Sequence, residues 1–260
     1  MSGNLSLERG LGVMRKLGEA QGVLGVREIA RHLDLSPPAV QRILNTLAHH
    51  GYVEQDIATR RYRLGPALVS LTQHMLREDR LIRASQVELD TLAGEGCFNA
   101  FLGIRRGDQG IYLRVAQSRS PVVIRSSAGE TFALHSTAMG KALLLDSDRD
   151  AIVSILGAGP FERLAPRTVT DIDRLNRQIQ AARSTGYTTS LDENFAGLIA
   201  VGAPIRDARG TLVGAISVAY PKAVGPQVEL PQVGEKIAAA VARISMRLGY
   251  RDDANPQGED

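Results

Sequence analysis

Residues 24–64 read LGVREIARHLDLSPPAVQRILNTLAHHGYVEQDIATRRYRL, and the fold of the first third of the chain turns on this stretch. Ile29, Ala30 and Leu33 recur on one helical face over 26–33, and Asp34-Leu35-Ser36 makes a tight turn. Val40, Ile43, Leu44 and Leu47 then recur at the same period on a second helix that starts at Pro37 or Pro38. Proline suits the first helical position, because the N–H it lacks has no intrahelical partner there. Gly51 supplies the left-handed conformation that stops a helix. Residues 52–55 and 61–64 alternate like paired strands, with 56–59 as the turn between them. Helix, turn, helix and hairpin in that order make a winged helix-turn-helix.

Upstream, Leu7, Leu11, Met14 and Leu17 stand at helical spacing over 6–18, with Ser6 as the expected N-cap, and 18–25 reads as a connection. Downstream, Pro66 begins a helix carrying Leu68, Leu71, Met75 and Leu76 to about Arg80. Charge follows the same division. The first 80 residues hold 11 Lys+Arg against 8 Asp+Glu, and the rest hold 20 of each, so the whole net charge of +3 lies in the first third. That is the balance of a polyanion-binding module joined to a neutral one.

A short helix, a three-residue turn and a second helix form the geometry that seats a helix in a DNA major groove. With the apolar positions of the second helix turned inward, Ser36, Pro38, Ala39, Gln41, Arg42, Asn45 and Thr46 remain outside. Gln and Asn suit adenine, Arg suits guanine or phosphate, and an alanine methyl suits thymine. The helix N-terminus favours a phosphate, and Arg60 and Arg61 stand at the tip of the wing. The same pattern also fits a solvated polar face on an ordinary three-helix bundle.

The second half mixes both periods. Helices are expected at 82–94, 137–145, 148–156, 171–184 and 228–248, and strands at 98–104, 111–116, 122–125, 187–191, 197–205 and 212–219. Strands in runs, separated by blocks of helix, point to an α+β domain on an antiparallel sheet. No Asn-Gly or Asp-Gly turn occurs there, but Asp207-Ala208-Arg209-Gly210 between two apolar runs signals a hairpin. Residues 251–260 read as a disordered tail.

Several functions are excluded. The apolar runs are strand-length, so no membrane span is expected, and the first ten residues lack a signal-peptide pattern. The single Cys97 rules out an internal disulfide and a cysteine metal cluster, and it reads as a small buried hydrophobe. A cytoplasmic protein is expected. HSTAMGKA over 135–142 lacks the first glycine and the final hydroxyl of a phosphate loop. His49-His50 cannot share a metal from one helix face, and Asp192-Glu193 fall on opposite faces of an extended segment. No metal, cofactor or catalytic constellation is expected.

The segment from SLERGLGVMRKLGEA through REIARHLDLS, RILNTL and GYVEQDIATRRYRLG resembles the DNA-binding domain of the IclR family of transcriptional regulators. GETFALHSTAMGKALL, GYTTSLDENFAGL and VGAPIRDARGTLVGAISV resemble that family's effector-binding domain, so the likeness runs over about 5–250. It implies a winged helix-turn-helix over 5–65, a linker helix over 66–80 and a GAF-like α+β effector-binding domain over 81–250. It also implies double-stranded operator DNA and a small organic effector as partners, self-association as a dimer or tetramer, and repression in preference to activation. By motif position the effector pocket would involve Leu134, Thr137, Ala138, Ser190, Asp192, Ala200, Ser217 and Ala219. The chain departs from the family at Pro37-Pro38-Ala39, where Lys and Ser or Thr are common. It departs again at Ser217-Val218-Ala219-Tyr220-Pro221, where one hydroxyl is lost and a phenol gained, and at Ala200, a position often occupied by Cys. A pocket so poor in donors fits a larger or aromatic effector better than a small oxo acid. The alternative is a small-molecule sensor or enzyme whose winged domain makes protein contacts.

Overall fold

The computed structural model describes residues 3–20, 22–95, 98–118, 124–223 and 229–251. It divides into two compact units, Met1–Glu78 and Asp79–Asp260. The first carries α1 (Leu5–Glu19), α2 (Val26–Leu33), α3 (Pro37–His49), β1 (Val53–Gln55), β2 (Tyr62–Leu64) and α4 (Ala67–Glu78). Its core is Val13, Leu17, Ile29, Ala30, Val40, Leu44, Val53 and Tyr62. Asn4, not Ser6, caps α1: its side chain accepts the Ser6 and Leu7 N–H groups at 3.0 and 3.2 Å. Gly51 takes φ +73° beyond α3. The connection before α2 does more than link, because Leu24 and Tyr62 exchange backbone hydrogen bonds of 2.9 and 2.8 Å, a single-residue bridge along the other edge of β2. Leu7 and Leu11, expected at a helical interface, stand 62% and 55% exposed.

The second unit holds α5 (Arg80–Gly94), β3 (Asn99–Arg106), β4 (Gln109–Ala116), β5 (Thr131–Ala133), α6 (Ala138–Leu143), α7 (Arg149–Leu156) and α8 (Ile172–Thr185). It continues through β6 (Thr188–Leu191), β7 (Leu198–Arg206), β8 (Leu212–Pro221) and α9 (Leu230–Arg247). The strands form one antiparallel sheet in the order β5-β4-β3-β8-β7-β6. Helices α5 and α9 cover one face and α6 the other, with α8 against β6. This is the expected α+β class.

The 207–210 hairpin forms, with Asp207 Oδ1 accepting the Arg209 and Thr211 N–H groups at 2.9 and 3.0 Å. A search for Asn-Gly and Asp-Gly misses Gly107-Asp108, which turns β3 into β4 in two residues with Gly107 at φ +64°. Strand β5 has no counterpart among the sequence expectations. Of the expected strand at 122–125, Ile124 and Arg125 are not in a strand and the other two residues lie outside the described ones, as do Cys97, Val228 and the tail from 252. Among the described residues no helix is long and apolar enough to cross a membrane.

One close approach sets the distance between α6 and the sheet. A Cβ on Gly202 of β7 would lie 2.9 Å from the Ala138 carbonyl carbon and 3.0 Å from the Met139 nitrogen, and backbone cannot step aside as a flexible side chain can. Gly202→Ala should therefore lower the urea midpoint by an amount equivalent to about 1–3 kcal/mol at unchanged m-value. An unchanged midpoint would mean that α6 moves freely over β7.

Candidate functional site

At about 100° per residue, the direction on α3 opposite Val40 and Leu44 is occupied by Pro38, Arg42, Asn45 and His49. Of these, Pro38, Arg42, Asn45 and His49 are all exposed. His49 enters the sequence reading only as half of a pair that cannot share a metal. Counting turns outward from the buried positions, instead of inward from the motif, brings it into the set. Gln41 is turned aside: its Nε2 donates to the Tyr62 hydroxyl at 2.9 Å and to Asn45 Oδ1 at 2.8 Å. Thr46 donates its hydroxyl back to the Arg42 carbonyl at 3.1 Å, and with Ala39 and Arg42 it borders an apolar groove walled by Leu7, Leu11, Met14, Ile43, Leu47, Leu68 and Leu71. The Ser36 side chain makes no capping bond. The expected phosphate site at this N-terminus finds no donors, because Pro37 and Pro38 have no N–H and the Ala39 N–H is bonded to the Ser36 carbonyl at 3.0 Å.

The wing divides its two arginines. Arg61 is not at the tip's disposal: its Nη2 meets Glu28 Oε2 at 2.5 Å and its Nε donates to the Val23 carbonyl at 3.1 Å. Glu28 also accepts the Gly25 N–H at 2.9 Å. That bond, with Arg61 after it, holds the carboxyl below its usual range against the opposing cost of desolvation. Arg60 is exposed at φ +58°, and its backbone is fixed by Asp56 and Gln55.

In the second unit, strand register brings the pocket residues together. Ser190, Ala200, Ala219 and Asn99 are successive partners across β6, β7, β8 and β3, and Thr188, Gly202, Ser217 and Phe101 form the next rung on the same face. Under α6, this face encloses a cavity of about 60 Å³ walled by Thr137, Ala138, Ser190, Ala200, Ser217 and Ala219. Six of the eight residues named by motif position are thus assembled. Leu134 is not one of them; it is fully buried in the neighbouring core. Nor is Asp192, which sits at φ +59° and closes its own loop by accepting the Gly197 N–H at 2.7 Å. The added phenol also points elsewhere. Tyr220 is one residue out of phase with Ala219, so it packs on Phe98 on the other face of the sheet, ring centroids 5.5 Å apart.

Sequence reasoning missed Phe101, Tyr112, Asn194 and Phe195 on the cavity wall. Phe101 could have been found from its register with Ser217. Tyr112 stacks between Phe101 and Phe132, with centroids 5.3 and 4.5 Å away, and burial followed by the Glu130 charge pushes its phenol up to about 12. It stays a protonated donor through the neutral range. Two wall hydroxyls have already spent their protons: Thr137 donates to the Ala133 carbonyl at 2.7 Å, and Ser190 to the Ser136 carbonyl at 2.7 Å. Tyr112, Ser126, Asn194 and Phe195 are shared with a cleft of about 730 Å³ that opens to solvent.

A family model described as the bacterial transcriptional regulator IclR C-terminal region matches residues 73–246, and one for the IclR helix-turn-helix domain matches 6–56. The chain belongs to the IclR family. The HTH-type transcriptional regulator KdgR of Escherichia coli is 28% identical over 241 residues, covering 93% of this chain and 91% of that protein. An IclR regulator from Alicyclobacillus acidocaldarius superposes with TM-score 0.83 at 25% identity, covering 95% of this chain and 98% of its own. An IclR homologue from Microbacterium hydrocarbonoxydans, solved with 4-hydroxybenzoate, shares the fold at TM-score 0.77 and 19% identity, over 94% and 98% of the two chains. As an IclR-family member the chain is a DNA-binding transcriptional regulator and not an enzyme.

Within this IclR fold, the loop over the cavity is tied from below. Lys141 of α6 meets Glu193 at 2.7 Å and donates to the Thr189 carbonyl at 2.9 Å, with side chains 1% and 7% exposed. Desolvation lowers the Lys141 pKa and the Glu193 charge opposes it. Ser136 adds a 2.9 Å bond to Asn194 Oδ1. Glu193→Gln would leave an ammonium buried without its counter-charge. It should cost about 3–5 kcal/mol in chemical denaturation, and a loss under about 1 kcal/mol would mean that water already reaches the pair.

Proposed function

We propose that this cytoplasmic regulator binds a two-fold operator as a dimer and acts as a repressor. In this reading an organic acid with an aromatic ring, bound in the cavity under α6, shifts the operator affinity. The observation that carries the effector reading is the two-rung wall: small residues and spent hydroxyls on the sheet, continued on the same face by the Phe101–Tyr112–Phe132 rings. An aromatic ring is matched by that stack, and the Microbacterium neighbour holds such an acid. A cavity of about 60 Å³ is too small for the whole ligand. The ligand therefore extends past Phe195 toward the wider cleft. Linkage supplies the mechanism: an effector changes operator affinity only by the difference in its own affinity for the two states.

On DNA, Asn45 and Arg42 read base edges, flanked by Ser36, Pro38, Ala39 and Thr46, with Gln41 holding Asn45 in place. Arg60 reaches the backbone from the wing, and Arg61 acts through the wing's attachment to α2. Arg60→Ala should reduce the slope of log K against log salt by about one in gel-shift or anisotropy titrations, whereas Arg42→Ala should weaken operator binding by about 1–3 kcal/mol. Arg61→Ala should leave the slope and lower the thermal midpoint. A full unit of slope lost with Arg61 would reverse these assignments.

The dimer is supported by the apolar groove, beside which Leu7, Leu11 and Leu71 are more than half exposed. Leu11→Arg combined with Leu71→Arg should shift sedimentation toward the monomer. An unchanged mass would place the dimer contact elsewhere.

A further inference from the structure

Asn99, the first residue of β3, has no solvent exposure. Its Oδ1 accepts the Ser118 N–H at 3.3 Å, which fixes which end of the amide is which. The other end, Nδ2, meets no acceptor. Buried donors are seldom left unmade, because the desolvation cost is then uncompensated. The ladder says what lies beside it. Asn99 is directly opposite Ala219, itself opposite Ala200, so its rung continues through two methyl side chains that line the cavity. Ser217 is its diagonal neighbour on β8, on the same face and within side-chain reach. Among the described residues no partner meets the Ser217 hydroxyl, in contrast to those of Thr137 and Ser190.

We propose that Asn99 is a specificity-determining residue of the effector site, its Nδ2 donating to an oxygen of the ligand that Ser217 Oγ also binds. The assignment rests on reading this cavity as the effector site. It names the ligand chemistry at that end: an oxygen with free lone pairs, as in a carboxylate or a carbonyl. A ligand ammonium is rejected there, because Nδ2 has no lone pair to offer and, among the described residues, no carboxylate lines the cavity. The alanines beside Asn99 leave the room that a larger residue at either position would fill.

The test is calorimetric titration of the full-length protein with benzoate, 4-hydroxybenzoate and benzylamine at pH 8. The wild type should bind at least one acid and not the amine. Asn99→Asp keeps the acceptor for the Ser118 N–H and removes the donor. It should weaken the acid by about tenfold or more, the usual size of a lost hydrogen bond to a charged group, and should gain measurable affinity for benzylamine. Ser217→Ala, which asks nothing of the fold, should weaken the same acid several-fold and leave the amine unbound. Equal acid affinity in the wild type and Asn99→Asp overturns the proposal while leaving the effector site standing. An unaffected Ser217→Ala removes the shared-oxygen geometry, and decides the matter if Asn99→Asp does not fold. Failure of the wild type to bind either acid overturns the aromatic-acid reading and this inference with it.

Discussion

The arrangement of the effector unit depends on how closely α6 lies on the sheet. A glycine at 202 lets the Ala138 carbonyl come down onto β7, and two strand hydroxyls receive the backbone there: Thr188 donates to the Ala138 carbonyl at 2.6 Å and Ser190 to that of Ser136 at 2.7 Å. Carbonyls that would otherwise be buried without a donor are thereby satisfied. The same bonds decide the chemistry of the cavity. A hydroxyl has one proton, and once it is given to the backbone the oxygen can only accept. Residues that look like ligand donors in the sequence are therefore partly structural, and recognition falls to groups whose protons are still free.

The DNA-binding unit shows the same competition. Gln41 and Arg61 have the right side chains for bases and phosphates, but the fold uses both: one ties the recognition helix to Tyr62, the other ties the wing to Glu28. Tyr62 is buried in the core, and its hydroxyl needs a partner on some side. Gln41 supplies it. Two prolines at the helix start suit the turn but remove the N–H donors that a phosphate would meet. On the face of α3 opposite its buried positions the exposed polar side chains are Arg42, Asn45 and His49, and Arg60 is exposed on the wing.

The elements themselves were largely legible. Helix periods located α2, α7 and α8 to within a residue, and the capping aspartates Asp148 and Asp171 marked their starts. Short or turn-coded pieces were harder. Three-residue β5 is too short to show a period, and Gly107-Asp108 turns the chain with the pair reversed from the commonest form. Within the site, motif position placed the residues on β6, β7 and β8 because register is a period-two property that sequence preserves. Tyr220 and Asp192 leave the wall for different reasons: Tyr220 is a single step out of phase with Ala219, whereas Asp192, two residues beyond Ser190, departs from the strand at φ +59°. Asn99 was invisible for another reason. Nothing in a strand's sequence announces that a partner will be missing.

The small volume of the cavity and the ties on the loop above it together constrain how a ligand enters. Glu193 is held by Lys141 and Asn194 by Ser136, so both of these would have to break for the loop to lift as a body. The buried ion pair makes that costly. Phe195 is different: 60% of it is exposed, and it borders both the cavity and the cleft. Its side chain takes part in neither tie and stands, with Tyr112, Ser126 and Asn194, between the two spaces. A ligand that entered past Phe195 would leave α6 and the sheet in place, and its apparent affinity would be reduced only by the fraction of molecules with that ring turned aside.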